Sequence, residues 1–80
     1  MKSTSELLNQ FKRELPKADI TDVYDDNAEL LVRILYNGRA DYYFIRKSDG
    51  FTRAYYSGTE AVRVSNIIQN NKKLNIQNEE

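Results

Sequence analysis

Apolar residues follow two rhythms along this chain. Near the N-terminus Leu8, Phe11 and Leu15 recur at intervals of three and four, with Leu7 beside them, which draws one apolar stripe along a helix. Between Ala28 and Ser57 the chain reads AELLVRILYNGRADYYFIRKSDGFTRAYYS. These alternating runs of β-branched and aromatic residues, separated by turn dipeptides, predict strands. Beyond Gly58 the helical rhythm returns with Ala61, Val64 and Ile68, and with Ile67 and Leu74 alongside.

Local signals set the boundaries. Ser3-Thr4-Ser5-Glu6 has the capping-box spacing, in which the first hydroxyl and the Glu carboxylate each accept an N–H at the start of a helix. Pro16 disfavours helix at the residue before it, so the first helix is expected over about residues 3–15. Ser57-Gly58-Thr59-Glu60 repeats the spacing. A second helix is expected over about residues 59–73, with Lys72 and Lys73 near the negative end of its dipole. Asn37-Gly38 and Asp49-Gly50 favour positive φ and close two-residue hairpins. Counting outward from these turns pairs Leu30 with Ile45, Val32 with Tyr43 and Ile34 with Asp41, and then Ile45 with Ala54 and Tyr43 with Tyr56.

Side chains alternate across a sheet, so this register sorts residues into two faces. Leu30, Val32, Ile34, Tyr43, Ile45, Ala54 and Tyr56 share one face, the side expected to lie under the helices. Glu29, Leu31, Arg33, Leu35, Tyr42, Phe44, Arg46, Arg53 and Tyr55 share the other. The expected fold is α+β, with an antiparallel meander of three to four strands. An N-terminal and a C-terminal helix pack on one face of it, in the order α-β-β-β(-β)-α. One domain covers residues 1–74, and the polar stretch 75–80 is a disordered tail.

The segment before the meander is acidic. From Ala18 to Val32 it holds Asp19, Asp22, Asp25, Asp26 and Glu29 and no Lys or Arg. Ile20, Val23 and Tyr24 suggest a short strand within residues 19–25, and Asp25-Asp26-Asn27 suggests a turn. The alternation there fits neither face, which suits an edge strand whose charges block pairing with another sheet. The same carboxylates offer a second reading, an acidic knob of Asp22, Asp25, Asp26 and Glu29 for a basic partner surface. Their spacing lacks the central glycine of a calcium loop.

Composition narrows the chemistry. The chain has neither Cys nor His, so it has no disulfide frame, no thiol nucleophile, no zinc cluster and no His-based triad. It carries no GxxxxGK[ST] and no GxGxxG motif. No metal, no cofactor and no enzymatic activity is expected. No apolar run approaches the ~20 residues of a membrane span, and the polar start Met1-Lys2-Ser3-Thr4-Ser5-Glu6 does not read as a signal peptide. A cytoplasmic protein is expected. Twelve basic residues balance twelve acidic ones, which gives no overall pull toward nucleic acid or anionic lipid.

The second sheet face holds the candidate site: Arg33, Tyr42, Phe44, Arg46, Arg53 and Tyr55. Tyr and Arg concentrate at protein hot spots, because each brings large contact area and directed hydrogen bonds. In the counted register Arg46 lies opposite Arg53, an unfavourable pairing unless a group such as Glu29 compensates. A homodimer mate is one way to shield such a face.

Two classes of partner fit. Rings that stack on bases and arginines that hold phosphates suit nucleic acid, and the order helix, strands, helix resembles the double-stranded RNA-binding domain. That family reads RNA with lysines at the start of its second helix, where this chain has Gly58-Thr59-Glu60-Ala61-Val62, and with a loop histidine, which this chain lacks. The other class is protein. In size and element order the chain resembles small phage anti-CRISPR and other anti-defence inhibitors, several of which present carboxylates to a nucleic-acid-binding groove. That resemblance implies an inhibitor of a nucleic-acid-acting enzyme. The many Asn, Ile, Lys and Tyr residues fit an AT-rich phage or mobile-element source.

Overall fold

The structure is a computed structural model that describes residues 2–55, 58–70 and 73–74. Its elements run α1 (Thr4–Glu14), β1 (Asp19–Asp26), β2 (Glu29–Tyr36), β3 (Arg39–Arg46), β4 (Thr52–Ala54) and α2 (Ala61–Gln69). The four strands form one antiparallel sheet in the order β1-β2-β3-β4. This is the expected α+β meander between two helices. The stretch expected to be a disordered tail, 75–80, lies outside the described residues.

α1 begins as its sequence dictates. The Ser3 N–H donates to Glu6 Oε1 at 2.9 Å and the Glu6 N–H donates to Ser3 Oγ at 3.1 Å, closing the capping box. Leu7 and Phe11 are buried. They meet Ala18, Val23, Leu30, Val32, Ile34 and Ile45 in an all-apolar cluster, and Leu8, Leu15 and Tyr43 pack around it. The Phe11 and Tyr43 rings meet edge to face with centroids 5.5 Å apart.

The β2–β3 hairpin has the counted register: Leu30 pairs with Ile45, Val32 with Tyr43 and Ile34 with Asp41. Asn37 and Gly38 take φ of 54° and 77°, the pair of positive values that a two-residue reversal needs. The β3–β4 register differs. Ile45 pairs with Thr52 and Tyr43 with Ala54, two residues earlier on β4 than expected, and Tyr56 lies outside the described residues. The Lys47 N–H still donates to the Ala28 carbonyl, and the Arg46 N–H donates to the Phe51 carbonyl. Residues 47–50 therefore form a four-residue loop. Asp49 organises it by accepting the Phe51 N–H at 3.0 Å and gripping Arg46. A slip of two leaves every side chain on its expected face.

β1 is the edge strand that its charges suggested, and it is longer than expected. Ile20 pairs with Ile34 and Asp22 with Arg33, so Thr21 is an extra residue, a β-bulge. The bulge puts Ile20 and Val23, three apart, on the α1 face, which explains why plain alternation failed there.

The placement of α2 corrects the expectation that both helices share one face. α2 lies on the opposite side, where Val64 and Ile67 bury Tyr24, Leu31 and Phe44. The reason is in the face itself. Leu31 and Phe44 are too apolar to leave wet, and they are 0 % exposed. α2 is also shorter than expected. Glu60 occupies its N-cap position and makes no side-chain capping bond, while Ser57, the expected cap, lies outside the described residues. Asn70 is the C-cap of α2, and residues 71 and 72 lie outside the described residues. Lys73 bridges to Tyr24, and the Leu74 N–H donates to the Val23 carbonyl at 2.7 Å.

Candidate functional site

The second face is built row by row from the β2–β3 register. Glu29 stands beside Arg46, Leu31 beside Phe44, Arg33 beside Tyr42 and Leu35 beside Ala40. α2 covers the row of Leu31 and Phe44, and the cover thins toward the β2–β3 turn. Arg33 and Tyr42 are half-buried, and Leu35 and Ala40 are exposed.

The six expected partner-binding residues separate into three places. Phe44 is core. Arg53 is its β4 neighbour, and its guanidinium carbon lies over the Phe44 ring at 4.6 Å from the centroid. Arg46 therefore does not oppose Arg53. It sits at the end of the face, where it grips Asp49 with Nε–Oδ1 at 3.0 Å and Nη2–Oδ2 at 2.7 Å and lies over the Phe51 ring. Arg33, Tyr42 and Tyr55 remain together at the open end. The Tyr42 and Tyr55 rings meet edge to face at 5.8 Å, and the Tyr55 N–H donates to the Tyr42 carbonyl. Arg33 Nη1 donates to Thr21 Oγ1 at 2.9 Å, and no carboxylate lies within ion-pair distance of it among the described residues.

The four carboxylates of the expected acidic knob each hold a cation of the same chain. Asp22 pairs with Lys73 at 2.8 Å and Asp25 with Lys47 at 2.5 Å. Asp26 accepts Arg63 Nε and Nη2 at 3.0 and 2.6 Å, and Glu29 accepts Arg63 Nη2 at 2.8 Å. Arg63 also lies over Phe44, at 4.3 Å. Glu60 completes the group by accepting Arg53 Nη1 and Nη2 at 2.9 and 2.8 Å. Two guanidiniums and three carboxylates thus ring one buried phenylalanine, in the geometry that cation–π attraction favours.

The pKa directions follow from these contacts. Burial opposes the Arg63 charge, and the hydrogen bonds to Asp26 and Glu29 more than offset it, so its pKa rises. The hydrogen bond to Glu60 raises that of Arg53. Burial, with Asp22 nearby, pushes the Tyr24 phenol up. The Arg46 fork and the Phe51 N–H hold Asp49 at about 2.

Arg63, Glu60 and Lys73 were not among the sequence candidates. Two signals pointed to them: the i,i+3 spacing of Glu60 and Arg63 on one helix, and an acidic stretch with no cation of its own. Among the described residues no cluster of three or more potential ligands is placed to hold a metal, and no helix is long and apolar enough to cross a membrane. The depression lined by Asp25, Asn27, Lys73 and Leu74 is open to solvent. The chain matches no known family model, no curated protein and no solved structure.

Proposed function

We propose that this chain is a small non-enzymatic protein-interaction module that docks through the open end of its second sheet face. The observation that carries this reading is Arg33. The other two arginines on the face, Arg46 and Arg53, are held in carboxylate forks, whereas Arg33 meets one hydroxyl. It stands beside Tyr42 and one row from Leu35, which is 39 % exposed. A guanidinium, two tyrosines and an aliphatic side chain in adjoining rows suit a protein surface that offers a carboxylate or carbonyls beside an apolar spot. The lack of His and Cys in the chain supports a role without catalysis.

The sharper form of this reading is an inhibitor of a nucleic-acid-acting enzyme, of the anti-CRISPR or anti-defence kind. A phosphate mimic would rely on the carboxylates of Asp22, Asp25, Asp26 and Glu29, and each already holds a cation. The support therefore rests on the Arg33 end of the face. Binding of nucleic acid through the same face would ask Phe44 to stack on a base, and Phe44 is fully buried.

The test is affinity capture with the wild type, an Arg33→Ser/Tyr42→Ser double variant, and Val62→Ser on the exposed side of α2 as control. The expected result is a partner retained by wild type and control and reduced about tenfold or more by the double variant, the effect of losing ~1.4 kcal/mol or more. Equal capture by all three proteins would overturn the reading. Tight binding of labelled oligonucleotides at low salt would replace it with the nucleic-acid alternative.

A further inference from the structure

We infer that α2 is a charge-latched lid over the aromatic half of the sheet, able to release while α1 and the other face stay folded. α2 has nine residues, fewer than the ~12–15 at which an isolated helix becomes even marginal in water. It lacks a side-chain cap bond and buries two side chains, Val64 and Ile67. Lys73 and Leu74 hold the chain beyond it to β1; the helix itself is fixed by Arg63, whose guanidinium reaches Asp26 at the end of β1 and Glu29 at the start of β2 and lies over Phe44. Glu60, just before the helix, grips Arg53 on β4. The Arg63 side chain is 39 % exposed and its carboxylate partners 15 % and 18 %, so dissolved ions reach the latch. α1, by contrast, is closed by a reciprocal cap, and its two buried side chains, Leu7 and Phe11, meet six further buried apolar residues.

Free energies of local opening differ across a structure, and the segments with the fewest apolar contacts open first. Lifting α2 would uncover Leu31, Phe44 and Tyr24 beside Tyr42 and Tyr55. The docking end proposed above would then extend into a continuous aromatic and aliphatic surface. That consequence rests on the docking reading; the latch itself does not.

The test is amide hydrogen exchange on the full chain without any partner, at about 0.05 M and about 1 M sodium chloride, across which screening shortens from well over 10 Å to about 3 Å. Arg63→Met is compared at the lower salt. The expected result is that the amides of Val64, Ile67 and Asn70 exchange at least about tenfold faster at high salt, and again in Arg63→Met. Those of Phe11, Val32 and Ile45 should hold their rates. Exchange of all six in step, no response of the α2 amides, or global unfolding of Arg63→Met would each show that α2 belongs to one cooperative unit, and would overturn the inference. Failure here leaves the Arg33 docking surface standing, and failure of the Arg33 variants leaves the latch standing.

Discussion

The two faces of one sheet are closed by different physics. Under α1 the buried contacts are aliphatic and aromatic carbon, and the helix is positioned by shape, by its own cap and by a Lys12 Nζ hydrogen bond to the Ala18 carbonyl, with no ion pair to the sheet among the described residues. Under α2 a smaller apolar cluster is ringed by guanidiniums and carboxylates that tie the helix to β1, β2 and β4. Hydrophobic burial is non-directional and changes little with simple salt. Ion pairs are directional and screened. The first face therefore supplies most of the cohesion, and the second supplies alignment that solution conditions can tune.

The largest expected effect strikes the first face. Phe11→Ala should cost about 3–5 kcal/mol by opening a cavity beneath α1, seen in chemical denaturation as a lowered midpoint at every sodium chloride concentration. A strong salt dependence of that loss would erase the distinction between the faces. Next comes Asp26→Asn, which keeps an acceptor oxygen for Arg63 but removes the carboxylate charge. Its expected cost is about 1–2 kcal/mol at low salt, shrinking toward zero near 1 M sodium chloride as screening weakens the wild-type latch too. Ser3→Ala should cost about 1 kcal/mol through the lost cap of α1, and thermal melts should show that cost nearly independent of salt. The smallest effect concerns Asp49 at the β3–β4 loop. Its folded pKa of about 2 lies below the ordinary 3.8, so the anion favours the folded loop. That contribution is complete above pH ~4 and is lost as pH falls through about 2. A carboxyl NMR titration should place the Asp49 midpoint near 2, and Arg46→Gln should return it toward the ordinary value.

How much of this was legible depended on whether a signal was local. The Ser3–Glu6 cap and the Asn37-Gly38 turn act over four residues or fewer, and they placed α1 and the β2–β3 register correctly. The Asp49-Gly50 turn was misjudged because its loop is set by a side chain gripping Arg46 and by Lys47 staying in the ladder to Ala28, neither of which a dipeptide announces. Face assignment survived that error because a slip of two preserves alternation. The side taken by α2 was not written in its own periodicity, which fits either face. It was written in Leu31 and Phe44, whose burial demanded a cover. Of the residues of that face read as a binding surface, Phe44 is a floor for α2, whereas Arg33, Tyr42 and Tyr55 stand at the open end. The acidic stretch was half read: an edge strand was recognised, but Arg63 and Lys73 lie 37 and 51 residues from the aspartates they serve, too far apart for local spacing to pair them.

The bulge at Thr21 and the contact of Lys73 and Leu74 with Tyr24 and Val23 share a consequence for handling. An outermost strand of eight residues is a ready template for fibril growth, because each unpaired amide invites an identical neighbour. Here one end of that border is bent by an inserted residue and the other is occupied by the chain itself. The stretch left to seed cross-β stacking is a few residues long and flanked by aspartates, so the protein should remain dispersed at concentrations where a flat border of the same length would gel.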